Sequence, residues 1–171
     1  QDSTIVGKPE VLTGQGQSGS RVGWVDPEKQ SIAVLPFLNM SDDFEQEYFS
    51  DGITEDIITE LARFKDLFVI SRNSSFHFKG RTLKAPEIGR ELSAKYIVEG
   101  SVRKSGNRVR VTAQLIETAD DNHVWAERYD RELTDIFEVQ DEIVRAIVTI
   151  IPGELNRRTL EQMRRKLPGN L

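Results

Sequence analysis

Four groups of residues in this chain have types and spacings that chemistry could use. Gly14, Gly16 and Gly19 repeat the spacing of a dinucleotide-binding loop, in which glycines let the backbone approach a pyrophosphate at a helix N-terminus. Such a loop needs a buried strand before it and a long amphipathic helix after it. Here the flanks are rich in Gly, Gln and Ser and Gly23-Trp24 follows, so the pattern reads as linker and no cofactor is expected. Asp42, Asp43, Glu45, Glu47, Asp51, Glu55, Asp56 and Glu60 form an acidic stretch. A calcium loop built around Asp51-Gly52 would need an oxygen ligand where Phe49 stands and a glutamate where Ile58 stands, so a solvated helix entry, with acids near the positive end of the helix dipole, is the better reading. His77 and His123, the two histidines, fall in different elements, and a hydrolytic triad would require Ser74 or Ser75, one histidine and an acid to converge. Phe76-His77-Phe78 is more simply a cap over the core, and His123 opens a strand carrying Trp125 and Tyr129. Finally, Arg157, Arg158, Arg164, Arg165 and Lys166 are interleaved with Leu160, Met163 and Leu167. In a chain of net charge -5 this favours a helix packing on a neighbouring domain over direct contact with nucleic acid or an anionic membrane.

Cysteine is absent, which removes disulfides, zinc-thiolate sites, iron–sulfur clusters and cysteine nucleophiles together. The 171 residues suffice for one core and a tail. No apolar run reaches the roughly 20 residues a spanning helix needs, so no membrane insertion is expected; the longest, Ile143 to Ile151, contains Arg145. The chain opens Gln-Asp-Ser without a leader and reads as a piece of a larger protein.

The elements that must position these groups follow from periodicity. Residues 1–30 read as a flexible linker, 31–151 as one α/β domain and 152–171 as a helical connector to a further domain. Ile32-Ala33-Val34-Leu35, stopped by Pro36, predicts a buried strand, and Ile53, Ile57, Ile58, Leu61 and Phe64 predict an amphipathic helix. Leu67 to Ile70 predicts a second buried strand, parallel to the first, followed by a polar turn at Arg72-Asn73-Ser74-Ser75. A short helix is expected from Pro86 to about Leu92, then a strand over Tyr96–Val102, a turn at Ser105-Gly106-Asn107, an alternating strand over Val109–Leu115 and a last strand over His123–Tyr129. Ile136, Val139, Ile143, Ile147 and Val148 make the stripe of a closing helix, capped by Thr134 or Asp135 and broken or kinked at Pro152-Gly153. The fold class is therefore α/β, a mixed sheet of about five strands with helices packed mainly on one face and a long C-terminal helix.

Particular stretches carry a family resemblance: Ser31–Phe37, Asn39–Ser41, Glu45–Ile58, Phe68–Phe76, Tyr96–Lys104, Val109–Ile116 and Trp125–Asp130 resemble, in order, the TolB-like domain. The resemblance implies a non-catalytic domain that usually lies between an N-terminal effector and C-terminal tetratricopeptide repeats, whose entry Arg164–Leu171 resembles. The effector is most often a class III adenylate/guanylate cyclase domain or a winged-helix DNA-binding domain.

From these readings the expected role is regulatory, coupling repeats that recognise a protein partner to an effector, with homodimerisation one way of doing so. Candidate surfaces are the polar turn at Arg72, Asn73 and Ser74, the acidic entry at Glu45, Glu47 and Asp51, and the strand carrying Trp125 and Tyr129. Small-molecule sensing is the rival, with a ligand near the C-terminal ends of the first two strands and Arg72 and Asn73 lining its site. A cytoplasmic location is expected, with the periplasm as alternative.

Overall fold

A computed structural model describes residues 29–167. The glycine pattern at 14–19, nearly all of the expected linker and Pro168-Gly169 lie outside the described residues.

Among the described residues, six strands form one mixed sheet: β1 (Gln30–Val34), β2 (Leu38–Asn39), β3 (Leu67–Val69), β4 (Tyr96–Ser105), β5 (Arg108–Glu117) and β6 (Asn122–Glu132). The main path runs β3-β1-β4-β5-β6, with β2 also paired to β4. The β1, β2 and β3 pairings are parallel; β4–β5 and β5–β6 are antiparallel. Among the described residues, four helices accompany them: α1 (Glu45–Leu61), α2 (Arg72–Phe76), α3 (Ala85–Leu92) and α4 (Ile136–Lys166). The expected mixed sheet and long closing helix are found. The additional strand is β2, two residues beyond Pro36 that rejoin β4.

Side chains that alternate along β4 and β5 build the main core. Tyr96, Val98 and Val102 of β4 and Val109, Val111, Ala113 and Leu115 of β5 share one face with Ile32 and Val34 of β1, all buried. Onto that face α1 lays Phe49, Ile53, Ile57 and Leu61, and α4 lays Val139, Ile143, Ile147, Ile151 and Leu155. Among the described residues the opposite face is covered over β1 and the start of β4, where Ala33, Leu35, Ile70 and Ile97 meet Phe78 and Ile88 of the α2–α3 region. Helical cover is thus heavy on one side and partial on the other.

Two local expectations change. Arg72–Phe76 forms a short helical turn, because the Ser71 hydroxyl accepts from the Ser74 amide and serves as its N-cap. The closing helix is not broken at Pro152: α4 is a single helix from Ile136 to Lys166. Ile151 and Leu155, both at most 1% exposed, bury one residue before and three after the proline. Each such burial contributes about 1.5–3 kcal/mol, enough to offset the roughly 3 kcal/mol a proline costs inside a helix. Of the two proposed caps it is Asp135 that serves, its carboxylate accepting from the amides of Phe137 and Glu138.

A cleft where the first strand leaves the sheet

β1 and β2 run along the same flank of β4 but out of step. Val34 stands opposite Val98 and Leu38 opposite Ser101, so three residues, Leu35-Pro36-Phe37, face two, Glu99-Gly100. Pro36 has no amide to give the ladder, and the Phe37 amide donates instead to the Thr54 hydroxyl of α1, at 2.9 Å. The surplus residue lifts the chain off the sheet. A cleft of about 550 Å³ opens there, between Leu35–Asn39 on one side and the segment from Phe78 to Leu83 on the other, with Glu99, Ser101, Thr112 and Gln114 as its floor. Connections from β1 lead to β3 on one flank while the chain returns to β4 on the other, so the cleft occupies the kind of switch point at which open α/β sheets place ligands.

Its polar groups are mostly already paired. Glu99 accepts from the Gln114 side-chain amide at 3.1 Å, and burial, reinforced by Asp121 and partly offset by His123 and by that hydrogen bond, raises its pKa above the ordinary carboxylate value. Ser101 and Thr112 share a 2.7 Å hydrogen bond across the strands. At the rim, Lys79 bridges Asp51 at 2.7 Å and Glu47 at 2.8 Å. Burial alone would pull its pKa down, but the two carboxylates together raise it. The Lys79 hydrogen bond and that of Asn39 in turn hold Glu47 below its ordinary value. The Arg81 guanidinium stacks over Phe78, 4.9 Å from the ring centre. The cleft can therefore offer a half-buried acid on its floor and a guanidinium at its mouth.

The surfaces expected from sequence fall in three places. Glu47 and Asp51 are brought together by Lys79, while Glu45 stands exposed in the first turn of α1. Arg72 is turned towards α1, where its Nε donates to Glu55 at 2.7 Å and its guanidinium lies 4.1 Å from the Phe76 ring centre. Asn73 and Ser74 are exposed beside it, and neither Arg72 nor Asn73 lines the cleft. On β6, Tyr129 is buried in the main core and Trp125 is half-buried against it, so this strand offers its backbone edge and flanking charges rather than its aromatic rings. His77 packs edge-on against Phe78, and the Ser74 hydroxyl is bonded to Ser71, with no histidine between it and an acid. Among the described residues, no three His, Asp or Glu side chains stand together in a metal-binding group. Sequence reasoning missed Glu99, Gln114, Lys79 and Arg81. The one available signal was Glu99 itself, a charged residue inside the apolar run Tyr96-Ile97-Val98 to Val102.

A family model described as the second domain of HilA/YgeH-like transcriptional regulators matches residues 28–146. The chain belongs to that family. This HilA/YgeH-like second domain is also 54% identical over 145 residues to a protein of Rhizobium meliloti (strain 1021) named "Putative adenylate cyclase 3". The match takes in 85% of the chain but 24% of the relative, so the chain spans about a quarter of that protein's length. Among solved structures, lipoprotein GNA1162 from Neisseria meningitidis superposes with a TM-score of 0.52 at 18% identity, covering 71% of this chain and 96% of that one. TolB from Acinetobacter baumannii superposes with a TM-score of 0.51 at 19% identity, covering 73% of this chain and 29% of TolB. The likeness to TolB expected from sequence is thus one of fold. Among the described residues no helix is long and apolar enough to cross a membrane.

Proposed function

We propose that this HilA/YgeH-like second domain is a non-catalytic regulatory module that couples a partner-recognising region to an effector domain of cyclase type within a longer signalling protein. The observation that carries the reading is the extent of the Rhizobium match: high identity over nearly the whole domain, confined to about a quarter of a protein named for cyclase activity. The family description, a second domain of transcriptional regulators, supports a part that serves different effectors. The partner-recognising region would be the C-terminal repeats that the TolB-like resemblance implies. The proposal carries a cytoplasmic location with it, where a nucleotide cyclase finds its nucleotide.

The test is cyclic AMP formation by the 171-residue chain alone, by the full-length Rhizobium relative, and by that relative with the matched segment deleted. The chain alone should form none, and deletion should change the relative's rate while its remaining domains stay folded. Turnover by the chain alone, or an unchanged rate after deletion, would overturn the proposal.

The cleft favours a second reading, a sensor of a small polar metabolite. Its switch-point position and the presence of both Glu99 and Arg81 in its lining suit a ligand with a cationic and an anionic group. A ligand that binds only the folded state raises the melting temperature by mass action, so amino-acid-like metabolites screened by thermal shift address it directly.

A further inference from the structure

The two edges of the sheet are treated differently. At one edge β3 is three residues long, the short form by which sheets discourage foreign strands. At the other, β6 runs for 11 residues without proline or glycine, paired on its inner side to β5 and carrying no strand on its outer side among the described residues. Such an edge is a template for another strand. Its charged side chains alternate in sign: the exposed Glu127 and Arg128 precede Tyr129 and the half-buried Asp130 and Arg131 follow it, so positions equidistant from Tyr129 carry opposite charge.

That arrangement is self-complementary. In an antiparallel pair, opposed residues share a face of the sheet, so a second β6 can enter only in registers that keep like faces together. With the twofold axis on Tyr129, Arg128 faces Asp130 of the second copy and Glu127 faces Arg131 of the second copy, and symmetry makes each contact twice. Moving the axis by one residue sets Arg128 on Arg128 or Asp130 on Asp130, where like charges repel. Within one chain Asp130 already pairs with Arg110 at 2.8 Å and more loosely with Arg128 at 3.7 Å. A carboxylate has acceptor sites for two guanidinium groups, so Asp130 can keep Arg110 and exchange the loose Arg128 contact of its own chain for Arg128 of the second copy.

We propose that the β6 edge is a self-association surface, at which a second copy of this chain adds its own β6 antiparallel about Tyr129 and continues the sheet across both molecules. The pairing rests on this edge and not on the regulatory reading, and cyclic AMP plays no part in its test.

Molar mass by size exclusion with light scattering, across a concentration series, gives the first measurement. The 171-residue chain should rise from its own 19.5 kDa towards twice that value. Arg128→Asp and Asp130→Arg, each confirmed as folded by its thermal transition, should each remain at the mass of one chain, because two like-charge contacts appear in either homodimer. Mixed in equal amounts, the two variants should recover the dimer, since each then supplies the charge the other lacks. Glu127→Arg mixed with Arg131→Glu repeats the exchange at a second position, should either first variant fail to fold. An unaltered chain that stays monomeric at every concentration would overturn the proposal. So would single variants that dimerise as well as the unaltered chain, or mixtures that fail to recover the dimer.

Discussion

At the scale of single residues, Glu99 shows how a carboxylate can sit in a cleft at a cost to the fold. Burial raises its pKa, so between the ordinary glutamate value and the raised one the folded chain binds more protons than the unfolded chain. Stability attributable to this group therefore falls as pH rises through that window and stays lower at neutral pH. Glu99→Gln keeps an acceptor for Gln114 and removes the charge. It should raise the melting temperature at pH 7, and the gain should shrink to nothing as pH falls through the ordinary glutamate value. A gain of equal size at pH 7 and well below that window would show that ionisation of Glu99 is not its source. Glu47 has the opposite sign: held low by Lys79, it adds stability above its ordinary value and loses it as pH falls through the depressed one.

At the scale of elements, close approach and helix continuity decide the local architecture. A Cβ at Gly100 would lie 2.1 Å from the Thr112 carbonyl oxygen and 2.5 Å from the Phe37 ring, so β4 must carry glycine where the bulged segment folds over it. Gly100→Ala should cost about 3 kcal/mol or more in denaturant unfolding, since one of the clashing atoms is backbone. Gly106, at φ +60°, fills the first central position of the β4–β5 turn, the placement a type II′ hairpin requires. In α4, Pro152→Ala returns an amide to a helix already held by burial on both sides of the site. A gain of about 2 kcal/mol is expected, read as a higher denaturant midpoint at unchanged slope. A loss would mean that the proline shapes α4 in a way its neighbours need.

At the scale of the whole molecule, α4 ties the connector region to the domain. Beyond Pro152, Leu155 is buried in the main core, Arg158 and Gln162 both reach Glu117 at the end of β5, and Thr159 pairs with Gln30 at the start of β1. Ending the chain after Ile151 should therefore cost at least the roughly 2–3 kcal/mol of one buried leucine, visible as a lower melting temperature. An unchanged transition would make residues 152–166 an appendage. The outer part of the helix differs: Leu160, Met163 and Leu167 remain 57–60% exposed, at the spacing from which the sequence predicted packing on a neighbouring domain.

By itself the sequence determined most of the stretches that become strands and helices, β2 and α2 excepted, because burial on one face imposes a period of two or 3.6 on the chain. Val109, Val111, Ala113 and Leu115 announced β5, and Ile53, Ile57, Ile58 and Leu61 announced α1. The likeness in fold to TolB was legible from a different source, the resemblance of the stretches from Ser31–Phe37 to Trp125–Asp130, in order, to the TolB-like domain. Only the tertiary structure decided what Pro36 does. A proline after an apolar run reads as a strand end, yet here the chain rejoins β4 two residues later, and the slip in register opens the cleft. It also decided the fate of Pro152, whose local cost is offset by contacts with strands distant in sequence. The cleft brings together Leu35, Lys79, Glu99 and Gln114 from separate elements, and β6, paired on one side to β5, carries no strand on its other side among the described residues. Both depend on strand order, which local periodicity does not encode.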